Sequence, residues 1–396
     1  MTAPATRRPP WLLALALVAV SINLRAVIAS VPPLVDTIEA DLHLSSAWSG
    51  ALTTLPVLCM GLFAPLAARL GRRVGPAGAV QLATVGVVVG CLLRLAGAEI
   101  WTLYVGTFVA GVGIAIAGTL LPSLVKELFP PQRAGLVTGL YMLSMMGGAA
   151  LSSALAVPFS HWLGSWEASL ASWSLLGLVG ALAWLPVSAR ERTQRATFAP
   201  PDDPHRLPWR HLTAWAVAAY LGVQSWQFYS SLAWVAPSYV AHGWAPSLAG
   251  YLLAAFTLAQ LVSGLVGPVL TDRVRDRRLL LLPVGLLGTV GMSGLAFAPE
   301  AAPWAWVVIL GLGQGAAFSL GLVLLVDYAE TPSASGRLAA MCFFVSYTVA
   351  SFGPATMGAV RDAASGFHTV WLALLCLMAV QLGLALLLGP HRDRIA

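Results

Sequence analysis

Twelve long apolar runs divide this chain of 396 residues, and they leave few folds open to it. They cover 11–35, 46–68, 77–97, 100–125, 134–158, 166–188, 211–237, 246–271, 279–298, 303–326, 336–360 and 367–389. Each reaches the ~20 residues that a helix needs to cross ~30 Å of hydrocarbon. A membrane barrel of strands would show short alternating segments instead, and the sequence lacks them. Only 10% of residues are charged and 58% are hydrophobic. A soluble domain carries roughly 25% charge, so composition agrees with the runs. The expectation is an all-α membrane protein with twelve transmembrane helices.

Charge placement gives the topology. Arg7 and Arg8 precede an apolar stretch, as in a signal peptide, but the stretch is too long for one and contains Arg25. It reads as an uncleaved first span. Of the 22 Lys and Arg, all but Arg25, Arg94 and Arg361 fall at the termini or at even-to-odd connections. The positive-inside rule then predicts both termini in the cytoplasm, with the protein in the inner (cytoplasmic) membrane. The net charge of +6 follows topology, so nucleic acid is not an expected partner. Cys59, Cys91, Cys342 and Cys376 lie inside predicted spans without metal-ligand spacing, and read as small packing residues. No metal and no cofactor is expected.

The segment 189–210 is polar and basic, with Pro200, Pro201, Pro204 and Pro208. Prolines at that density oppose a continuous helix. The predicted organisation is therefore a six-helix bundle over 1–188, a cytoplasmic linker over 189–210 and a second bundle over 211–396. The halves are related. Ser21-x-Asn23-x-Arg25 recurs as Ser225-x-Gln227-x-Tyr229, and Val31-x-Pro33 as Val235-x-Pro237. Gly111-x-Gly113-x-Ala115 recurs as Gly311-x-Gly313-x-Gly315, and Thr119 as Ser319. Two pseudo-symmetric parallel repeats are a transporter architecture, with the substrate near the midplane between them. The glycine runs lack a preceding strand, so they are not dinucleotide loops. Small residues that let helices approach closely are the better reading.

Arg25 is the first candidate site residue. Its place in the first run puts it ~21 Å from one end and ~15 Å from the other at 1.5 Å per residue. A cation at that depth costs at least ~2.5–3.5 kcal/mol and marks a functional site by default. Ser21 shares its helix face, as Ser225 shares that of Tyr229. If an axis along the membrane normal relates the halves, Arg25 and Tyr229 meet across the cavity. Trp226 lies near that face and offers an aromatic wall. Asn23 and Gln227 point elsewhere and suit ties between helices. Gln314 either lines the cavity or makes an interhelical bond. Tyr141 and Tyr347 occupy corresponding spans and either border the site or pack the core. Arg94 sits near the outer end of its span, from which it can snorkel to the interface, pairing with Glu99. Trp101, Trp162, Trp166 and Trp304 read as an interfacial belt.

Longer motifs carry a resemblance. The first span has Asn23-Leu24-Arg25 followed by Val31-Pro32-Pro33-Leu34. The second runs Leu55-Pro56-Val57-Leu58-Cys59-Met60-Gly61-Leu62-Phe63-Ala64-Pro65. Further on come Leu121-Pro122-Ser123-Leu124-Val125-Lys126, Thr138-Gly139-Leu140-Tyr141, Gly222-Val223-Gln224-Ser225, Phe228-Tyr229 and Trp234. On these the chain resembles the major facilitator superfamily, and within it the branch of cyanate and 2-nitroimidazole permeases. The resemblance implies the major facilitator fold and a cytoplasmic signature after the second span. Here that signature reads Ala68-Arg69, Gly71, Arg72 and Arg73, with Ala68 where an acid normally stands. The second-half copy keeps Asp272 and Arg273. The family role of these residues is a conformational gate; the plainer alternative is that the clusters only fix topology. The branch normally has Asn at Gly118, and Gln and Gly at Phe343 and Ser346, so specificity can differ.

None of the sixteen Asp and Glu falls near mid-depth of a span, so no buried acid relay is expected. A guanidinium without an acid suits an anion, or a nitro or carbonyl group, bound through its planar fork. The functional expectation is a secondary transporter for a small anionic or polar planar solute, working by alternating access, as a monomer in a lipid bilayer. Efflux of neutral, nitroimidazole-like compounds is the alternative. An enzyme would need a catalytic cluster at one membrane face, and Asp327 with Glu330 has no convincing partners. A receptor would be expected to carry an appended soluble domain. Both rank below a permease.

Overall fold

The computed structural model describes residues 10–97, 99–194, 207–271, 274, 276–390 and 392–395. It is all helical apart from one isolated bridge between Ala329 and Ile395. The first span is broken. Helix α1 (Pro10–Ala29) ends ahead of Pro32 and Pro33, a 3-10 turn covers Pro32–Leu34, and α2 (Val35–Leu42) completes the crossing. Two prolines without N–H groups cannot continue the helical ladder. The second span bends by 53° between α3 (Ser46–Leu62) and α4 (Ala64–Val74). Pro65 removes a donor at that bend.

The remaining N-terminal helices are α5 (Pro76–Leu93), α6 (Ile100–Leu128), α7 (Pro131–Leu163) and α8 (Trp166–Gln194). A short 3-10 turn, Arg94–Ala96, follows α5. The C-terminal helices are α9 (Leu212–Ala241), α10 (Pro246–Thr271), α11 (Arg278–Phe297), α12 (Pro303–Asp327), α13 (Pro332–Ala364) and α14 (Phe367–Leu387). Proline opens α5, α7, α10, α12 and α13, where its missing N–H costs nothing. Helix α8 extends six residues into the segment expected to be linker, and linker residues 195–206 lie outside the described residues.

Among the described residues, ten helices have the length and composition of a membrane span, and the bent α3/α4 pair makes eleven. The twelfth, α9, has 30 residues and, over its most apolar stretch, is more polar than those ten. It carries Gln224, Ser225, Gln227, Ser230 and Ser231, all buried among neighbouring helices. The glycine runs act as expected in both halves. A Cβ on Gly113 would lie 2.5 Å from the Ala83 carbonyl, and one on Gly313 2.6 Å from the Gly288 nitrogen. Those helices touch backbone to backbone.

Both bundles place their first and last helices at one end, here the terminal end; the α2/α3 and α13/α14 connections mark the far end. The halves press together at the far end. A Cβ on Gly50 would meet the Pro354 carbonyl at 2.5 Å, and one on Gly358 the Ser46 carbonyl at 2.1 Å.

Candidate functional site

Arg25 leaves α1 toward the other half and is 8% exposed. Its Nη1 donates to the Tyr229 hydroxyl on α9 at 2.8 Å. The guanidinium carbon lies 5.6 Å from the Phe228 ring centre and 5.4 Å from that of Tyr229, within cation–π range. The Tyr229 hydroxyl also reaches the Met60 sulfur at 3.7 Å. Tyr347 packs edge-on to Tyr229 at 6.4 Å, and Phe343 stacks on Tyr347 at 5.8 Å. Tyr141 and Tyr347 both lie within electrostatic range of the guanidinium. Among the described residues no carboxylate pairs with Arg25. A guanidinium has five N–H donors, and one is engaged here by a neutral phenol.

The offset of 204 residues thus brings Arg25 and Tyr229 together. The other candidates divide. Ser21 is fully buried and donates to the Leu17 carbonyl of its own helix at 2.6 Å. Ser225 donates to Gln224 Oε1 at 3.3 Å. The Gln224 amide donates to both the backbone and side-chain oxygens of Gln314, each at 3.1 Å, so Gln314 makes an interhelical bond between α9 and α12. The Trp226 ring edge lies against Gly353 of α13. Gln227 donates to Gln381 at 2.8 Å and ties α9 to α14. The Asn23 amide packs against Gly177 of α8 and has no hydrogen-bond partner among the described residues. Sequence reasoning quoted Gln224 only within a motif and missed its pairing, and it missed Gln381, although an amide in an apolar span always calls for a partner.

Two expectations are corrected. Arg94 does not snorkel and does not pair with Glu99. It is 0% exposed and donates to the Val27 carbonyl at 3.0 Å. The 3-10 turn directs its side chain inward. Trp166 is not part of an exposed belt: it is buried and its indole donates to Asp41 at 2.9 Å. Trp101, Trp162 and Trp304 are exposed as expected. Cys59, Cys91 and Cys342 are buried, whereas Cys376 is exposed on α14.

A cluster the sequence did not reveal closes the far end. Arg361 of α13 pairs with Glu39 at 3.1 Å and Asp36 at 3.4 Å, both on α2. Its guanidinium sits 4.6 Å from the Phe367 ring centre and 5.6 Å from that of Trp234. The neighbouring Asp362 accepts from the Ser46 and Ala47 backbone N–H groups at 3.1 and 3.0 Å, capping α3 from the other half. At the terminal end, Arg69, Arg72 and Arg73 are exposed on α4, while Asp272 and Arg273 lie outside the described residues. Arg277 pairs with Asp327 at 2.6 Å within the C-terminal half. A recess of about 700 Å³ opens beside Asp41, His161 and Trp166, but it holds no buried cation and lies away from Arg25.

Residues 12–242 match the pattern described as Major Facilitator Superfamily. The chain belongs to the major facilitator superfamily. It is 33% identical to the 2-nitroimidazole transporter of Escherichia coli, over 92% of each chain. It is 31% identical to the cyanate transport protein CynX of Escherichia coli, over 90% of this chain and 92% of that one. The uncharacterized transporter YycB of Bacillus subtilis is 33% identical over 97% of this chain and 94% of its own. Among solved structures, the xylose transporter XylE from Escherichia coli superposes with a TM-score of 0.75 at 14% identity, covering 96% of this chain and 95% of that one. This superfamily member therefore shares a transporter fold, and its relatives are membrane transporters.

Proposed function

We propose that this protein moves a small anionic or strongly polar planar solute across the cytoplasmic membrane by alternating access, with Arg25 as its main binding cation. One observation carries the reading: a buried guanidinium between the halves has a phenol and two ring faces around it and, among the described residues, no acid paired with it. A planar fork with free donors suits a carboxylate, cyanate or nitro group. In this reading Tyr229 shares the solute, and Tyr141 and Tyr347 border it. Ser225 and Gln314 reach it only if their mutual amide network opens, and Ser21 and Trp226 only after rotation. The names of two relatives, for 2-nitroimidazole and cyanate, agree with this chemistry. Both termini are cytoplasmic in this reading, the far end is extracellular, and the unit is a monomer. The exposed arginines of α4, with Asp272 and Arg273, act as the gate at the cytoplasmic end.

The aromatic surround also supports a second reading, export of neutral nitroaromatic compounds that stack on Phe228 and Tyr229. Uptake into proteoliposomes of cyanate, nitrate, nitrite, small carboxylates and 2-nitroimidazole separates the two. Arg25→Ala is expected to abolish transport of the anions. Unchanged uptake of every transported solute in that variant would sink the proposal.

A further inference from the structure

Arg94 is a second full charge buried in the N-terminal half, and the site as described makes no use of it. Its Nη1 donates to the Val27 carbonyl, two residues beyond Arg25 on α1. That oxygen, which also accepts from the Ser30 hydroxyl at 3.4 Å, lacks its helical donor because the span breaks there: the Val31 N–H bonds Ile28 instead, at 3.3 Å. Arg94 Nε and Nη2 have no hydrogen-bond partner among the described residues, and no acid pairs with the side chain. A guanidinium keeps its proton in any protein environment, so the charge is present.

Bonding one carbonyl does not require a cation. At the same break the Ala29 carbonyl, which loses its donor to Pro33, is reached by the neutral Ser153 hydroxyl at 3.1 Å, a hydroxyl shared with the Ala149 carbonyl at 2.9 Å. Burying an arginine costs far more than burying a hydroxyl or an amide, so the charge itself calls for a role. We propose that Arg94 is a specificity-determining residue: a guanidinium that never touches the solute, whose field makes the Arg25 site favour anions over neutral solutes of the same shape. This rests on the function proposed above and extends it. At a separation on the order of 12 Å and an effective dielectric of ~20, one unit charge changes the affinity for a monovalent anion about tenfold.

The test uses benzoate and nitrobenzene, an anion and a neutral molecule of matched shape, together with nitrate and cyanate. Dissociation constants are measured by calorimetry on the purified full chain in nanodiscs. Arg94→Gln keeps a donor for Val27 and removes the charge. Arg94→Lys keeps the charge. Cys91→Asp places an acid one turn before Arg94, at a buried position, and offsets the charge while leaving the Arg94 side chain itself unaltered. The Gln and Asp variants are expected to weaken anion binding about tenfold while nitrobenzene stays within about twofold, and Lys is expected to hold both. Anion affinity unchanged in both the Gln and Asp variants overturns the inference, as does equal weakening of benzoate and nitrobenzene. Should Arg94→Gln fail to fold, Cys91→Asp alone decides. Arg25→Ala separates the two levels. If that variant binds anions like the parent, or if the parent binds none, the proposed function fails and takes this inference with it. If anion binding needs Arg25 but ignores Arg94, this inference alone falls.

Discussion

Tyr229 holds Arg25 through its hydroxyl and its ring. Its hydroxyl accepts at 2.8 Å, and its ring and that of Phe228 face the charge. Tyr229→Phe keeps the rings and leaves a buried guanidinium without that acceptor. Such a loss costs about 1–3 kcal/mol. The solute-free variant is expected to melt at a lower temperature than the parent in a thermal-shift assay. Gly118 tests selectivity: an added Cβ there meets nothing within 4 Å, so α6 accepts a larger residue. Gly118→Asn is expected to fold like the parent and to change the ranking of solutes in a competition uptake assay; an unaltered ranking would remove that position from the solute path. The Arg25–Tyr229 contact was legible in the sequence because the internal repeat supplies a symmetry, and symmetry pairs residues across space. Arg94 was not. Hydropathy reports depth along a helix and says nothing of whether a side chain at the span end turns inward.

At the level of elements, α3 and α13 meet with no room between them. The Ser46 carbonyl lies where a Cβ of Gly358 would be, at 2.1 Å. Gly358→Ala cannot keep that contact, and overpacking of this kind costs about 1–3 kcal/mol. The far end should spread. Spin labels at the exposed Trp48 and Thr369 are expected to report a longer distance in Gly358→Ala than in the parent background. The break in the first span falls at Pro32 and Pro33 and the bend after Phe63 at Pro65, yet hydropathy alone reads both segments as continuous spans. The partners of the freed carbonyls, Arg94 and Ser153, come from helices far along the chain, and no local pattern names them.

For the whole molecule, the ion cluster of Arg361 with Asp36 and Glu39 joins the two halves at one end. Its side chains are 14–32% exposed, so water and salt weaken it. Arg361→Ala is expected to raise the labelling rate of a cysteine introduced at Ser49, which lies buried beside Glu39. High ionic strength should do the same to the parent, more weakly. Labelling that is equal in both would show that the close helix contacts alone hold this end shut. In the sequence the acids of this cluster merely follow the first apolar run, and nothing local names their partner, which arrives more than 300 positions later.

The polarity of α9 bears on how the chain enters the membrane. The side-chain NH2 groups of Gln224 and Gln227 donate to Gln314 and Gln381, which belong to helices made later. While α9 is leaving the ribosome, neither partner yet exists. A glutamine-bearing segment of this kind inserts poorly alone. We expect Leu212–Ala241, fused into a translocon insertion reporter, to partition incompletely, and to be retained once α12 and α14 follow it. The helix that faces Arg25 would then be the last of the bundle to settle, and assembly of the site would wait for the end of translation.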